Sequence, residues 1–237
     1  MTDSTGAAVP SGTPAASGQD WGQWFKEHTR DILVGIGAVV VVAAAAWLYV
    51  TSENRKETFA AQALAKARGD AEAGDLPLAA YDLSQLSDRY SGTKAADQGA
   101  VLLGEVRLVQ GGTQVDAAVK GLQAFVAKKH ADYILASAWA LLGAGLEQQN
   151  KYREAAQAYR KAAAAIPYDF LKAQYLLDAG RTLAVAGDSA EARKAYADVI
   201  EGFGALGQAS EARVRLGELG GTAPAPKPKP EADRKNG

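Results

Sequence analysis

The stretch that decides the fold is Ser137–Pro167, SAWALLGAGLEQQNKYREAAQAYRKAAAAIP. Apolar and small residues recur at helical spacing on both sides of Gln149-Asn150, which reads as a break. Pro167 stops the second run, because proline lacks an amide hydrogen and its ring clashes with the preceding turn. The spacing predicts two antiparallel helices. Gly143 and Ala155 are small enough for close approach, and Trp139, Leu142, Tyr159 and Ala162 fill the seam.

A second unit follows, with Gly180, Leu183, Gly187, Ala192, Tyr196 and Val199 in the corresponding places. The pattern resembles the tetratricopeptide repeat, a 34-residue helical hairpin, with Leu146 where that repeat usually has Tyr. Ala155 and Ala192 are 37 residues apart, so the turn around Tyr168–Leu171 is expected to be lengthened. Leu78–Tyr90 and Leu102–Phe125 look like degenerate units. Stacked repeats share a continuous core, and three or four suffice for stability. Trp139, Tyr159 and Tyr196 are therefore expected in that core.

Outward from these units the chain is Ala-rich and helical in spacing from Glu53 to about Leu219, with no sustained strand alternation. Breaks fall near Gly74-Asp75, Ser91-Gly92, Gly111-Gly112, His130-Ala131, Gln149-Asn150, Pro167-Tyr168, Gly187-Asp188 and Gly204, which divides the region into about nine helices. The fold class is all-α: a single N-terminal transmembrane helix followed by a solenoid of tetratricopeptide-like hairpins. The expected organisation is a disordered tail over 1–20, a lead-in and membrane span over 21–52, repeats over 53–220 and a disordered Pro/Lys tail over 221–237.

The span reading rests on ILVGIGAVVVVAAAAWLYVTS, Ile32 to Ser52, 21 residues without a charge. As a helix it is about 31 Å long, against roughly 30 Å of bilayer hydrocarbon. Trp47 and Tyr49 near one end suit the headgroup region. Before it, Trp21, Trp24, Phe25 and His28 share one face of a short helix, with Asp20 and Gln23 placed as a capping pair. Two other readings stay open: a helix buried in a large soluble core, and a cleaved signal peptide with Ala44-Ala45-Ala46 at the cleavage site. Lys26 and Arg30 before the run balance Arg55 and Lys56 after it, so charge does not orient the span.

Composition narrows the function. The 237 residues include no Cys and two His, which excludes disulfides, thiol chemistry and Cys-ligated metals, and leaves little for a His-ligated one. Twenty-six basic against 27 acidic residues argue against nucleic-acid binding. His130, after Lys128 and Lys129 at a helix end, is expected to cap or face solvent. There is no HExxH, GxSxG, Walker lysine loop or GxGxxG after a strand. No catalytic, cofactor or metal site is expected.

The order of parts, carried by Trp24–Ala67, resembles the YfgM-like ancillary subunits of the bacterial Sec translocon: an aromatic-basic lead-in, one span closed by aromatics, and a polar helix running on into repeats. The resemblance implies a cytoplasmic N-terminus, a bilayer contact through 32–52, and a periplasmic repeat domain anchored in the inner membrane. It implies protein partners, the translocon channel and a periplasmic prolyl-isomerase-like chaperone; unfolded clients are a further candidate that the sequence leaves open. A scaffold of another envelope assembly is the alternative. Carrying over the repeat register places Ser137, Ala140, Ala144, Glu147, Gln148, Gln174, Leu177 and Arg181 in a partner-binding groove. Their mix of polar and small groups suits an extended peptide or partner helix.

Overall fold

The computed structural model describes residues 21–222 and 224, with side chains at position 34 and from 38 onward. The readings on 1–20 and on nearly all of 221–237 lie outside these residues. Among the described residues the secondary structure is all helical: α1 (Trp21–Glu72), α2 (Leu76–Arg89), α3 (Lys94–Gln110), α4 (Gln114–Val126), α5 (Asp132–Gln148), α6 (Tyr152–Ala165), α7 (Asp169–Val185), α8 (Ser189–Gly202) and α9 (Gly207–Glu218). All eight sequence breaks fall between helices. The chain divides into two compact units, one through Glu53 and one from Asn54.

In the first unit α1 runs from Trp21 without interruption, so the lead-in is no separate short helix. Its apolar residues are exposed on every side: Val39 to Val42, Trp47, Leu48, Tyr49 and Val50 each present 55–68% of their surface. Among the described residues no helix is long and apolar enough to cross a membrane. The run expected to do so opens at 32, 33 and 35–37, whose side chains lie outside the described set.

In the second unit, four helical hairpins (the last part of α1 with α2, then α3–α4, α5–α6 and α7–α8) are followed by α9. Three buried clusters run along them. Ala60, Leu64 and Ala67 of α1 meet Leu83 and Leu86 of α2, Val119 and Leu122 meet Leu142 and Leu146, and Leu177 and Leu183 meet Tyr196, Val199, Ile200 and Leu216. Caps fix the helix starts. Asp75 accepts from the Leu78 amide at 3.2 Å. Thr93 accepts from Ala96 at 3.0 Å, while the Glu57 carboxylate of α1 accepts from the Lys94 and Ala95 amides at 2.9 and 3.0 Å. An anion on the first amides of α3 is favourable, and it ties the start of α1's packed portion to the start of α3. The two helices therefore run parallel.

Within each full hairpin a glycine faces a large side chain. A Cβ on Gly104 would lie 2.8 Å from Leu122, on Gly143 2.9 Å from the Tyr159 ring, and on Gly180 2.6 Å from the Tyr196 ring. Gly143 thus makes room for an aromatic ring, a more specific role than helix approach alone. Ala118, Ala155 and Ala192, like Leu122, Tyr159 and Tyr196, repeat at intervals of 37 residues. The three residues beyond the 34-residue pattern do not lengthen the Tyr168–Leu171 turn. Asp169–Leu171 is already the first turn of α7, and the connection before it is three residues long. Tyr196 and Tyr159 are core as expected, but Trp139 is half-buried in the outer seam, where the Lys161 ammonium sits 4.2 Å from its ring centre.

Gly180→Ala sets a rigid, buried ring against a new methyl. Overpacking of this kind costs about 1–3 kcal/mol, outweighing the gain of up to about 1 kcal/mol in helix propensity. Gly121→Ala, on α4 with open space around it, should instead gain roughly 0.5–1 kcal/mol. Urea denaturation of the two variants checks the pair, and a stabilised Gly180→Ala protein would contradict the packing described.

Candidate partner-binding groove

The first helices of successive hairpins line an open cleft of about 530 Å³. Arg68 comes from α1, Gln98, Leu102 and Glu105 from α3, Tyr133, Ser137, Ala140 and Leu141 from α5, and Tyr175 from α7. Tyr133, Ser137 and Ala140 lie three and four residues apart, on one face of α5. The lining combines one cation, one carboxylate, an amide, two phenols and aliphatic surface. Burial, and then the nearby Asp178 charge, push the Tyr175 phenol above its ordinary value.

Of the residues placed in the groove by register, Ser137 and Ala140 line this cleft. Ala144 is half-buried against the α3–α6 core. Leu177 is 3% exposed inside the α7–α8 core, so it is no groove residue: its helix turns that position inward. Gln148 is exposed and lines a different depression with Gly112 and Asp116, its amide 3.5 Å from the Leu108 carbonyl.

Glu147, Gln174 and Arg181 join a polar knot that sequence reasoning did not foresee. Arg181 donates to both Glu147 oxygens at 2.8 Å, and the Tyr159 hydroxyl donates to the same carboxylate at 2.7 Å. Gln174 donates to Asp178 at 3.3 Å, and the Arg181 Nε lies 3.8 Å from Asp178. Burial disfavours charge on Glu147, but the hydrogen bonds from Arg181 and Tyr159 outweigh it and hold the carboxyl below its ordinary 4.5. Asp178 goes the other way, because burial outweighs its partners and raises it. Burial, then the hydrogen bond to Glu147, push the Tyr159 phenol far up. Glu147 and Arg181 are thus committed to each other across α5 and α7.

His130 is neither solvated nor a cap. Its side chain is 11% exposed, stacked on Phe125 at 3.8 Å, with Nδ1 3.0 Å from an Asp97 oxygen. The groove residues missed from sequence, Arg68, Gln98, Glu105, Tyr133 and Tyr175, belong mostly to helices without a recognisable repeat register. The spacing of Tyr133 ahead of Ser137 and Ala140 was the available signal. Among the described residues, no group of three or more His, Asp or Glu side chains converges as metal ligands do.

A family model described as a tetratricopeptide repeat-like domain matches residues 22–221, a span from the start of α1 to just beyond α9. The chain belongs to the tetratricopeptide repeat-like domain family. Such domains are typically interaction modules without catalysis, and protein partners are what the family supports in general terms. No curated protein matches the chain.

Glu147, with its carboxyl below 4.5 in the fold, contributes stability that is present above that value and lost as pH falls through the folded value. Arg181→Ala should cost about 1–2 kcal/mol at neutral pH, less than a fully buried pair because Arg181 is 42% exposed. Glu147→Gln should flatten the decline in melting temperature below pH 4.5. An unchanged acid limb in thermal melts would remove Glu147 from that role.

Proposed function

We propose that this protein is a membrane-anchored adaptor that binds extended protein segments in the cleft between α3 and α5, at the Sec translocon of a bacterial inner membrane, with the repeats in the periplasm. One observation carries the anchoring: α1 bears both a stretch of exposed apolar residues and the first helix of the repeat core. Each fully exposed Val or Leu forgoes about 1.5–3 kcal/mol of burial, and four successive valines at helical spacing point in four directions. No neighbouring helix could cover such a surface, whereas lipid could. The family match also takes in this stretch, beginning at residue 22.

The cleft supports a peptide more than a small molecule. It is open, is lined by four helices, and offers dispersed polar groups beside tyrosines, a lining suited to main-chain hydrogen bonds and intermittent apolar side chains. The choice of translocon and of a prolyl-isomerase-like chaperone as partners follows the resemblance of Trp24–Ala67. Function on this reading is capture and positioning, with no chemistry by the chain.

A photoactivatable crosslinker at Ser137 or Ala140 in intact membranes should recover the translocon channel protein. Recovery of cell-wall or outer-membrane assembly factors in its place would favour the scaffold reading. Tyr133→Ala with Tyr175→Ala should reduce that crosslink several-fold while melting temperature changes little. Protease added outside spheroplasts should digest the repeats; full protection would reverse the orientation.

A further inference from the structure

The two edges of the repeat domain differ. Connections at one edge are Ala73-Gly74-Asp75, Gly111-Gly112-Thr113, Gln149-Asn150-Lys151 and Ala186-Gly187-Asp188, small and polar, although Val109 and Val185 are exposed nearby. At the other edge, where α3, α5, α7 and α9 begin, the chain exposes Tyr133, Tyr168 and Phe170 at 52–59%. Tyr133 and Phe170 are 37 residues apart and hold the same place on α5 and α7, in the turn that extends the helix beyond the usual repeat. Of five exposed aromatics among the described residues after Asn54, only Tyr81 lies away from this edge; Phe59 is the fifth, near the start of α1's packed portion.

Lys128 and Lys129 stand exposed at the same edge, in the connection between α4 and α5, and neither forms an ion pair among the described residues. Of the acids here, Glu57 lies on the α3 amides and Asp97 against His130, Asp132 and Asp169 sit in the first turns of α5 and α7, where the helix dipole favours them, and Asp88 stands exposed at the end of α2. Glu57 and the Lys56 ammonium, which donates to the Ser91 carbonyl at 2.7 Å, fix the start of the α1 portion at this same edge. The first residues of this unit, from Asn54, therefore lie at this edge.

We propose that this edge, through Tyr168 and Phe170 with Lys128 and Lys129, docks on the headgroup region of an anionic phospholipid bilayer. The inference rests on the anchored reading above. Amphipathic rings partition to the interface, and lysines beside them draw anionic lipid. Docking would hold the repeats against the membrane and fix the direction in which the cleft opens.

The sequence has no Cys, so single cysteines can be labelled in the full chain. Fluorophores at Tyr168→Cys, Phe170→Cys, Thr113→Cys on the opposite edge and Ala45→Cys in the apolar run would be reconstituted into phosphatidylcholine–phosphatidylglycerol vesicles carrying brominated lipid. The expected result is quenching at 45, and quenching at 168 and 170 several-fold above that at 113. It should fall when Lys128→Glu and Lys129→Glu are combined. Quenching at 45 with 168 and 170 no stronger than 113 would overturn the docking and leave the anchor standing. No quenching at 45 would overturn both. Probes at 168 and 170 shielded from aqueous iodide yet untouched by brominated lipid would overturn lipid docking in favour of a protein on this edge.

Discussion

The contact on which the array depends is a ring or branched side chain seated over a bare glycine. Tyr159 over Gly143, Tyr196 over Gly180 and Leu122 over Gly104 set how closely the two helices of each hairpin approach. With interiors packed as densely as crystals, a methyl at any of the three has nowhere to go. The helices of each pair meet at one distance, so their neighbours stack in one register, and the inner helices line up in parallel. The cleft is the consequence of that alignment.

What the cleft can do follows from which groups remain unspent. Glu147 and Arg181 carry opposite charges, yet they neutralise one another and recruit the Tyr159 hydroxyl. Removing one partner leaves a partly buried charge without its counterion, which is why the pair belongs to the fold. Arg68, Glu105, Tyr133 and Tyr175 keep their polar groups available along the cleft. A surface of separated donors, acceptors and rings reads a chain of residues, one contact at a time.

The hairpins were legible because turn chemistry and helical spacing agree: Gly187 takes φ 79° and Asn150 takes φ 59° at equivalent places, and both were visible as breaks. The Gly143–Tyr159 unit was legible for the same reason. The second hairpin was harder, because Leu122 stands where the later units have Tyr and the five-residue connection before α5 shifts its first helix out of step. Leu177 falls inside the core, since register alone assigns a face of the helix and says nothing of what leans on it from the next hairpin. The lysine neighbours of His130 mislead, since the deciding groups are Phe125, at the end of the preceding helix, and Asp97, 33 residues earlier on α3. Trp139 looked like core by type, but the outer seam leaves one side of its ring for Lys161 to cover.

The Glu147 carboxylate is gripped at once by Tyr159 from α6 and Arg181 from α7. In a linear array each hairpin normally answers only to its neighbour, and end units fray first. A three-way knot inside the last two full hairpins resists that. Thermal opening of α7 would strip Glu147 of two of its three hydrogen bonds and loosen Tyr159 over Gly143 in the preceding hairpin. The C-terminal half of the solenoid is therefore built to melt as one block, its cooperativity stored in a single side chain.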